Sequence, residues 1–181
     1  IGTVEVSHTY SCASPPCNFV AKLDSCCRIN QCANPNGHMS VTNTQNSRQY
    51  RVHSDVNVGT GNSSPVSSLP TIIQCAAGGM CDFQVPVSDN EGHDVKFRLS
   101  TQAESGVVEQ PGTGSGCTGG AATSDPATGA YSWDTSGCNL AEDECGGGAS
   151  SWHTLYSTQV TLEECTDDTL TDCGADEDLS T

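Results

Sequence analysis

Apolar and polar residues alternate along several short stretches of this chain, a spacing typical of β-strands that bury one face. Residues 49–58 are the clearest case. On an extended chain, one side of this stretch carries Tyr50, Val52, Ser54, Val56 and Val58. No stretch keeps the spacing of an amphipathic helix, so we predict no helix of ordinary length. The predicted strands are residues 3–10, 19–24, 49–58, 66–74, 82–87, 94–100, 130–134 and 152–163.

A glycine-containing turn with a cysteine on each side lies between two of these strands. Residues 76–80 form the turn, and Cys75 and Cys81 flank it. We predict that these two cysteines form a disulfide that clamps the turn. A second feature is the Gly-, Ser- and Thr-rich stretch 101–128, which predicts a long functional or mobile loop.

The composition favours a small-core extracellular protein. The 181 residues are 34% hydrophobic and 5% aromatic, and they include 19 Gly and 12 Cys. A lean core stapled by cysteines is typical of oxidising compartments, so we predict a secreted or cell-surface protein. No apolar run approaches the roughly 18 residues that cross a bilayer, so we expect no membrane insertion. The chain begins at Ile1, which fits a mature protein after signal-peptide removal, although a piece of a longer chain would begin in the same way.

The number of cysteines in each half constrains their pairing. With Cys75 and Cys81 paired, five remain on each side of the central turn, so full pairing requires a bridge between the halves. Cys26 and Cys27 are adjacent in the sequence and should point to opposite faces of a strand, so they should bond in different directions. The alternatives are one free thiol in each half or bridges to a neighbouring chain. The remaining cysteines are Cys12, Cys17, Cys26, Cys27 and Cys32 in the first half, and Cys117, Cys138, Cys145, Cys165 and Cys173 in the second.

The charge is strongly negative and unevenly spread. The net charge is −16, and all six basic residues lie within the first 98 positions. Such a field disfavours nucleic acid and anionic membranes as partners. The negative charge could instead bind cations or basic proteins, or could simply keep the protein soluble.

The acidic turn after the central clamp is a candidate cation site. Asp89, Glu91 and Asp94 place three carboxylates in one glycine-containing turn, and Ca²⁺ prefers oxygen ligands on flexible turns. The turn is therefore a candidate Ca²⁺ site, and a solvated β-turn is the alternative that we favour from the sequence. No other cofactor is expected. The five histidines at positions 8, 38, 53, 93 and 153 are scattered, which argues against a zinc site.

Two further motif observations bear on modification and catalysis. Asn62-Ser63-Ser64 is an N-glycosylation sequon in a predicted loop, so we predict a glycan at Asn62. The chain contains neither the G-x-S-x-G nucleophile elbow nor the H-E-x-x-H zinc motif. We therefore predict that the protein is not an enzyme.

The order of motifs in the second half resembles that of known extracellular modules. SDNEGHD (88–94) is followed by DPATGAYSW (125–133) and then by YSTQVTL (156–162). This order is similar to cadherin-like and Ig-like modules of cell-surface proteins. The resemblance covers residues 65–165 and implies an antiparallel β-sandwich used for adhesion or as a spacer. Residues 26–29, 50–58 and 62–66 resemble a smaller β unit that precedes such modules.

The sequence predicts an all-β protein built from antiparallel Ig/cadherin-like β-sandwiches and rich in disulfides. Residues 1–64 form a small Cys-rich unit whose first strand, 3–10, is a candidate donor strand, residues 65–166 form the cadherin-like sandwich, and residues 167–181 form an acidic segment.

The leading functional prediction is a secreted structural protein that forms a fibril or surface filament with copies of itself by donating strand 3–10 to a neighbour. The alternative is a monomeric adhesion or ligand-binding ectodomain for an extracellular protein or glycan, assisted by Ca²⁺. A Cys-rich inhibitor or toxin is disfavoured by the length of the chain.

Overall fold

The computed structural model describes residues 7–26, 49–59, 61–105, 110–111, 118–138, 156–165 and 173. Within these ranges the regular secondary structure consists of strands in small antiparallel sheets, joined by turns and loops, with one four-residue helix. The mostly-β prediction is therefore confirmed. Outside the described residues lie four cysteines, Cys27, Cys32, Cys117 and Cys145, and the acidic segment 167–181 apart from Cys173.

The two longest strands form an antiparallel ribbon in the first half of the chain. Strand β1 (Cys17–Cys26) pairs along its whole length with β2 (Gln49–Val58). The alternation of residues 49–58 predicted both bounds of β2. The register sets Leu23 opposite Val52 and Phe19 opposite Val56. Side chains that face each other across an antiparallel pair lie on the same side, so these four form one apolar face, called here the ribbon face.

The second half contains three further sheets. The short strands β3 (Val66–Ser67) and β5 (Val87–Ser88) pair with each other. A three-stranded sheet has the order β4 (Met80–Gln84), β8 (Ala130–Asp134), β7 (Thr123–Ser124). The last sheet pairs β6 (Val95–Leu99) with β9 (Val160–Glu164).

The core lies between the three-stranded sheet and the β6–β9 sheet. One buried cluster contains Cys81, Ala122, Tyr131 and Trp133. The other contains Val85, Val95 and Phe97. Phe83 packs against both clusters, and its ring stacks on that of Tyr131 with centroids 4.4 Å apart. Phe83 thus joins the two clusters into one core that is rich in aromatic side chains.

Four strand predictions differ from the structure. Of the predicted strand 152–163, residues 156–159 are not in a strand, β9 begins only at Val160, and residues 152–155 lie outside the described ranges. Ser7–Tyr10 is not in a strand, so the predicted strand 3–10 is wrong at its described end, and residues 3–6 lie outside the described ranges. Only Val66–Ser67 of the predicted strand 66–74 is a strand, in a stretch where Pro70 removes a backbone donor. The predicted strand 82–87 is divided at residues 85–86, since Pro86 has no N–H to donate to a ladder.

A tight turn of residues 125–129 closes the β7–β8 hairpin. Asp125 Oδ1 accepts hydrogen bonds from the backbone N–H of Ala127 (3.0 Å) and of Thr128 (2.8 Å). The Thr128 hydroxyl also donates to Oδ1 at 2.8 Å. This bond contributes most, and together with the two backbone bonds it holds the pKa of Asp125 below its usual range, because all three favour the carboxylate. Gly129 then has φ +71°, a left-handed conformation that favours glycine.

We expect Gly129→Ala to destabilise the protein by about 2–4 kcal/mol. An added Cβ would lie 2.7 to 2.9 Å from three ring atoms of the buried Phe97, and the residue would also be strained at φ +71°. Gly61→Ala is the matched control, since Gly61 has φ +75° but a Cβ there meets no described heavy atom within 4 Å. Chemical unfolding of both variants measures the difference. Equal losses of unfolding free energy would show that the contact with Phe97 is unimportant.

The helix α1 (Gln102–Ser105) is too short for any periodic pattern to predict, but its start is well capped. Glu104 Oε2 accepts bonds from the backbone N–H and the hydroxyl of Thr101, both 2.7 Å. The Thr101 hydroxyl oxygen accepts a bond from the Glu104 N–H at 3.3 Å, which completes a capping box. Arg98 on β6 donates two parallel bonds to the same carboxylate, at 2.8 and 2.5 Å.

The Arg98 pair makes the Glu104 contribution to stability sensitive to acid. The guanidinium of Arg98 lowers the pKa of Glu104 from 4.5 to about 2. Because the folded pKa is depressed, the stabilisation is present above pH 4.5 and is lost as the pH falls towards 2. We expect Glu104→Gln to cost about 1 kcal/mol at pH 7, since Arg98 stays partly exposed, and less at pH 3. Urea unfolding at the two pH values tests this, and an equal cost at both would contradict it.

Candidate functional site

Three disulfides join described cysteines: Cys12–Cys17, Cys75–Cys81 and Cys165–Cys173. The Cys75–Cys81 bond is the clamp proposed from the glycine turn between them. None of the described cysteines is a free thiol. This degree of oxidation suggests an extracellular environment. Within the described residues, no helix is both long enough and apolar enough to cross a membrane.

The observed pairs sharpen the argument for a bridge between the two halves. Removing them leaves three cysteines on each side of the central turn, which is again an odd number. Peptide mapping of the unreduced protein should therefore find at least one disulfide between the halves. A free thiol detected by alkylation without reductant would contradict this expectation. The cysteines concerned are Cys26, Cys27 and Cys32 in the first half, and Cys117, Cys138 and Cys145 in the second.

The ribbon face carries an exposed pair of large apolar side chains. Leu23 is 58% exposed and Val52, directly opposite it, is 53% exposed. At the other end of the face, the ring of Tyr10 packs on that of Phe19, with centroids 4.7 Å apart. The chain therefore covers one end of the ribbon face with its own Tyr10 and leaves the Leu23–Val52 end in solvent.

The two edges of the ribbon differ. Along β2, the backbone carbonyl of Arg51 accepts a bond from the Gln159 side chain at 3.0 Å, and that of Asp55 accepts one from the Ser64 hydroxyl at 3.0 Å. No described strand pairs with the outer edge of β1. The β1 edge is thus the more open template for another strand.

A second candidate site is centred on the acidic turn. Asp89 organises the turn, because its Oδ1 accepts bonds from the backbone N–H of Glu91 (3.0 Å) and of His93 (2.9 Å). Gly92 occupies the left-handed position of the turn at φ +84°. The side chain of Asp89 is only 3% exposed. Its second oxygen, Oδ2, is buried without a hydrogen-bond partner among the described residues.

The structure brings His93 and Glu164 to this aspartate. Val95 pairs with Glu164 in the β6–β9 sheet, so the end of β9 lies beside the turn that precedes β6. His93 Nδ1 contacts Glu164 Oε1 and lies 3.8 Å from Asp89 Oδ1. One ligand atom from each of the three residues lies within 4.8 Å of the others. These three residues are called the Asp89 cluster below.

Only one of the three predicted Ca²⁺ ligands belongs to the Asp89 cluster. Glu91 turns towards the preceding loop, where its Oε2 accepts bonds from the Ser63 hydroxyl (2.7 Å) and the Ser63 N–H (3.2 Å). Asp94 is exposed. The sequence pattern of residues 89–94 is sufficient to identify Asp89. Glu164 is 71 residues from His93, and only the β6–β9 pairing shows that it lies beside the turn.

The electrostatics of the cluster favour a positive charge at its centre. Glu164 accepts a bond from the His93 imidazole and so raises the pKa of that ring above 6.5, with Asp89 and Glu91 contributing to the same shift. Because the folded pKa is raised, this interaction is complete below pH 6.5 and is lost as the pH rises through the folded value. A cation of another kind could replace the proton.

A shallow groove of about 460 Å³ opens beside the cluster. Asp89 and His93 line it together with Val85, Phe97 and the 125–129 turn residue Thr128. Asn62, the predicted glycosylation site, is exposed nearby and donates a bond from Nδ2 to Glu164 Oε2 at 2.8 Å. The groove therefore brings a histidine, an aspartate and an open surface together, with the exposed Asn62 nearby.

No protein-family model, curated protein or solved structure matches this chain.

Proposed function

We propose that this chain is an extracellular structural protein whose copies associate through the β1–β2 ribbon. The observation that supports this most directly is the ribbon itself, with two ten-residue strands, an open β1 edge and an exposed apolar pair on one face. An open edge and an apolar face are the two features by which β proteins add strands from other chains.

The energetics of an isolated ribbon favour a covering partner. A two-stranded ribbon is marginally stable in water and needs a third strand or a packing surface. Arg51, on the side opposite the ribbon face, donates a 2.8 Å bond to the backbone carbonyl of Ala103 and so connects the ribbon to α1. The Leu23–Val52 end of the ribbon face is then the part that a second copy would cover.

Residues 3–10 of a neighbouring copy are the strand that we propose to fill the β1 edge. The described part, Ser7–Tyr10, is not in a strand of its own chain. Donation to a neighbour requires the Tyr10 ring to leave Phe19 of its own copy. Donation from one copy to the next is a heterologous contact that does not close, so it gives filaments rather than rings.

We further propose that residues 65–166 form an Ig/cadherin-like sandwich. Supporting this, the β4–β8–β7 sheet and the β6–β9 sheet contribute to clusters that share Phe83, as facing sheets of a sandwich would. An N-linked glycan at Asn62 would fit the same extracellular role, and the proposal assigns the chain no catalytic activity.

Deletion of residues 1–10 from the full chain tests the donor route. The expected product is folded, with unchanged near-ultraviolet circular dichroism, and monomeric in sedimentation. If the deleted chain still forms assemblies, residues 3–10 are not the donor and the ribbon face alone must carry association. If the intact chain is itself monomeric, the proposal of self-assembly is wrong.

A second candidate function is supported by the groove beside the Asp89 cluster. An open groove next to a charged cluster suits a monomeric ectodomain that binds an extracellular protein or glycan with help from a cation. Binding that a chelator abolishes, at unchanged monomeric mass, would favour this function over self-assembly.

A further inference from the structure

We propose that Asp89, His93 and Glu164 form a Zn²⁺ site. The three side chains come from a turn and from the end of β9, and each presents one ligand atom within 4.8 Å of the other two. Histidine nitrogen and carboxylate oxygen are both common zinc ligands, and three protein ligands leave a fourth position for water or a partner's side chain.

The buried carboxylate of Asp89 is the independent observation that points to an ion. Its side chain is 3% exposed, and Oδ2 has no hydrogen-bond partner among the described residues. A buried carboxylate oxygen left unpaired is costly, because it loses its hydration without compensation. The two N–H groups of the turn occupy Oδ1, so Oδ2 is the oxygen left for a metal ion.

Zinc binding needs a modest rearrangement of these side chains. Two ligands at about 2.0–2.2 Å from a tetrahedral zinc ion are roughly 3.3–3.6 Å apart. The Asp89 carboxylate, measured at Oδ1, lies 3.8 Å from His93 Nδ1, and rotation of this carboxylate would bring Oδ2 to the ion. The Glu164 oxygen that contacts the same ring nitrogen would move away from it to make room for the ion. Asn62 donates to Glu164 Oε2 at 2.8 Å, and a hydrogen bond to the oxygen that does not bind the metal orients a ligating carboxylate.

The ligand set also discriminates between zinc and calcium. Ca²⁺ takes six to eight oxygen ligands, whereas the Asp89 cluster offers one imidazole and two carboxylates. Glu91, which would add a further oxygen, is held by Ser63 at 2.7 Å. We therefore infer that Zn²⁺ replaces the Ca²⁺ expected from the acidic turn alone. This inference does not depend on self-assembly.

Isothermal titration of the chelator-treated, disulfide-intact full chain with zinc chloride and, separately, with calcium chloride tests the site. We expect one zinc ion per chain at this site. Asp89→Asn keeps an oxygen to accept the turn N–H groups, and it should weaken zinc binding by more than about 10-fold, as should His93→Gln. Glu91→Gln is the matched control on the same turn, and it should leave zinc affinity unchanged.

A second measurement does not depend on any variant folding. In the nitrogen-edited NMR spectrum of the native chain, zinc should shift the ring resonances of His93 specifically among the five histidines. Zinc affinity that is equal in the native chain, Asp89→Asn and His93→Gln would overturn the proposal. So would calcium binding that depends on Glu91 and Asp94 but is indifferent to His93→Gln.

Discussion

Replacing Leu23 with lysine is expected to weaken self-association of this chain by about 10- to 100-fold. The side chain is 58% exposed in the single chain, so it has little to lose in the monomer, whereas association would bury it against a second copy. Fully burying an exposed leucine contributes about 1.5–3 kcal/mol, so burying the 58% that is exposed here contributes roughly 1–2 kcal/mol, and the cost of burying the lysine charge supplies the rest of that range. Lysine in the same position would also place a charge in the interface.

Val20→Lys is the matched control for this variant. Val20 lies on the same strand and is 52% exposed, but it lies three residues from Leu23 and therefore points to the opposite side of the ribbon. Sedimentation equilibrium of the two variants and the native chain gives the association constants. Equal weakening by both variants would mean that the ribbon edge matters and the ribbon face does not.

Truncating Trp133 to alanine should destabilise the protein by about 3–5 kcal/mol, the largest effect that we expect from a single core substitution. Trp133 is 5% exposed, belongs to the cluster with Cys81, Ala122 and Tyr131, and meets the ring of Tyr156 at 4.6 Å. A chain with only 5% aromatic residues has little other packing to replace it. A loss of this size is a large share of the stability of a typical domain.

Trp133→Phe distinguishes the packing contribution of the aromatic ring from the effect of the indole N–H. The indole Nε1 is buried without a hydrogen-bond partner among the described residues, so phenylalanine keeps much of the packing and removes an unsatisfied donor. We expect it to cost less than about half of the alanine substitution. Denaturant unfolding of both variants decides the matter. An alanine variant within 1 kcal/mol of the native chain would show that this cluster is not the core.

The alternation of side chains was sufficient to predict the longest strands. Residues 49–58 alternate with Ser54 as the one exception, and β2 has those bounds, as β8 does for residues 130–134. The pattern failed where backbone chemistry overrides side-chain preference. Pro86 interrupts the strand predicted at residues 82–87, since proline cannot donate to a ladder.

In the Asp89 cluster, local sequence patterns could predict the residues of the turn but not the residue contributed by a distant strand. Asp89 stands out because it is followed by a glycine-containing turn, and the turn does place its carboxylate inside. Glu164 is 71 residues from His93 and could be found only through the β6–β9 register, which pairs it with Val95. The short helix α1 was also not predictable from a local pattern, because Arg98, which binds its Glu104 side chain, lies on strand β6.

Sedimentation velocity of the native, disulfide-intact chain over a wide concentration range tests self-association most directly. We predict a series of species that grows with concentration, and extended particles when the same samples are imaged by negative stain. A single species at the monomer mass of 18.7 kDa, plus any glycan, at every concentration would contradict the proposed assembly.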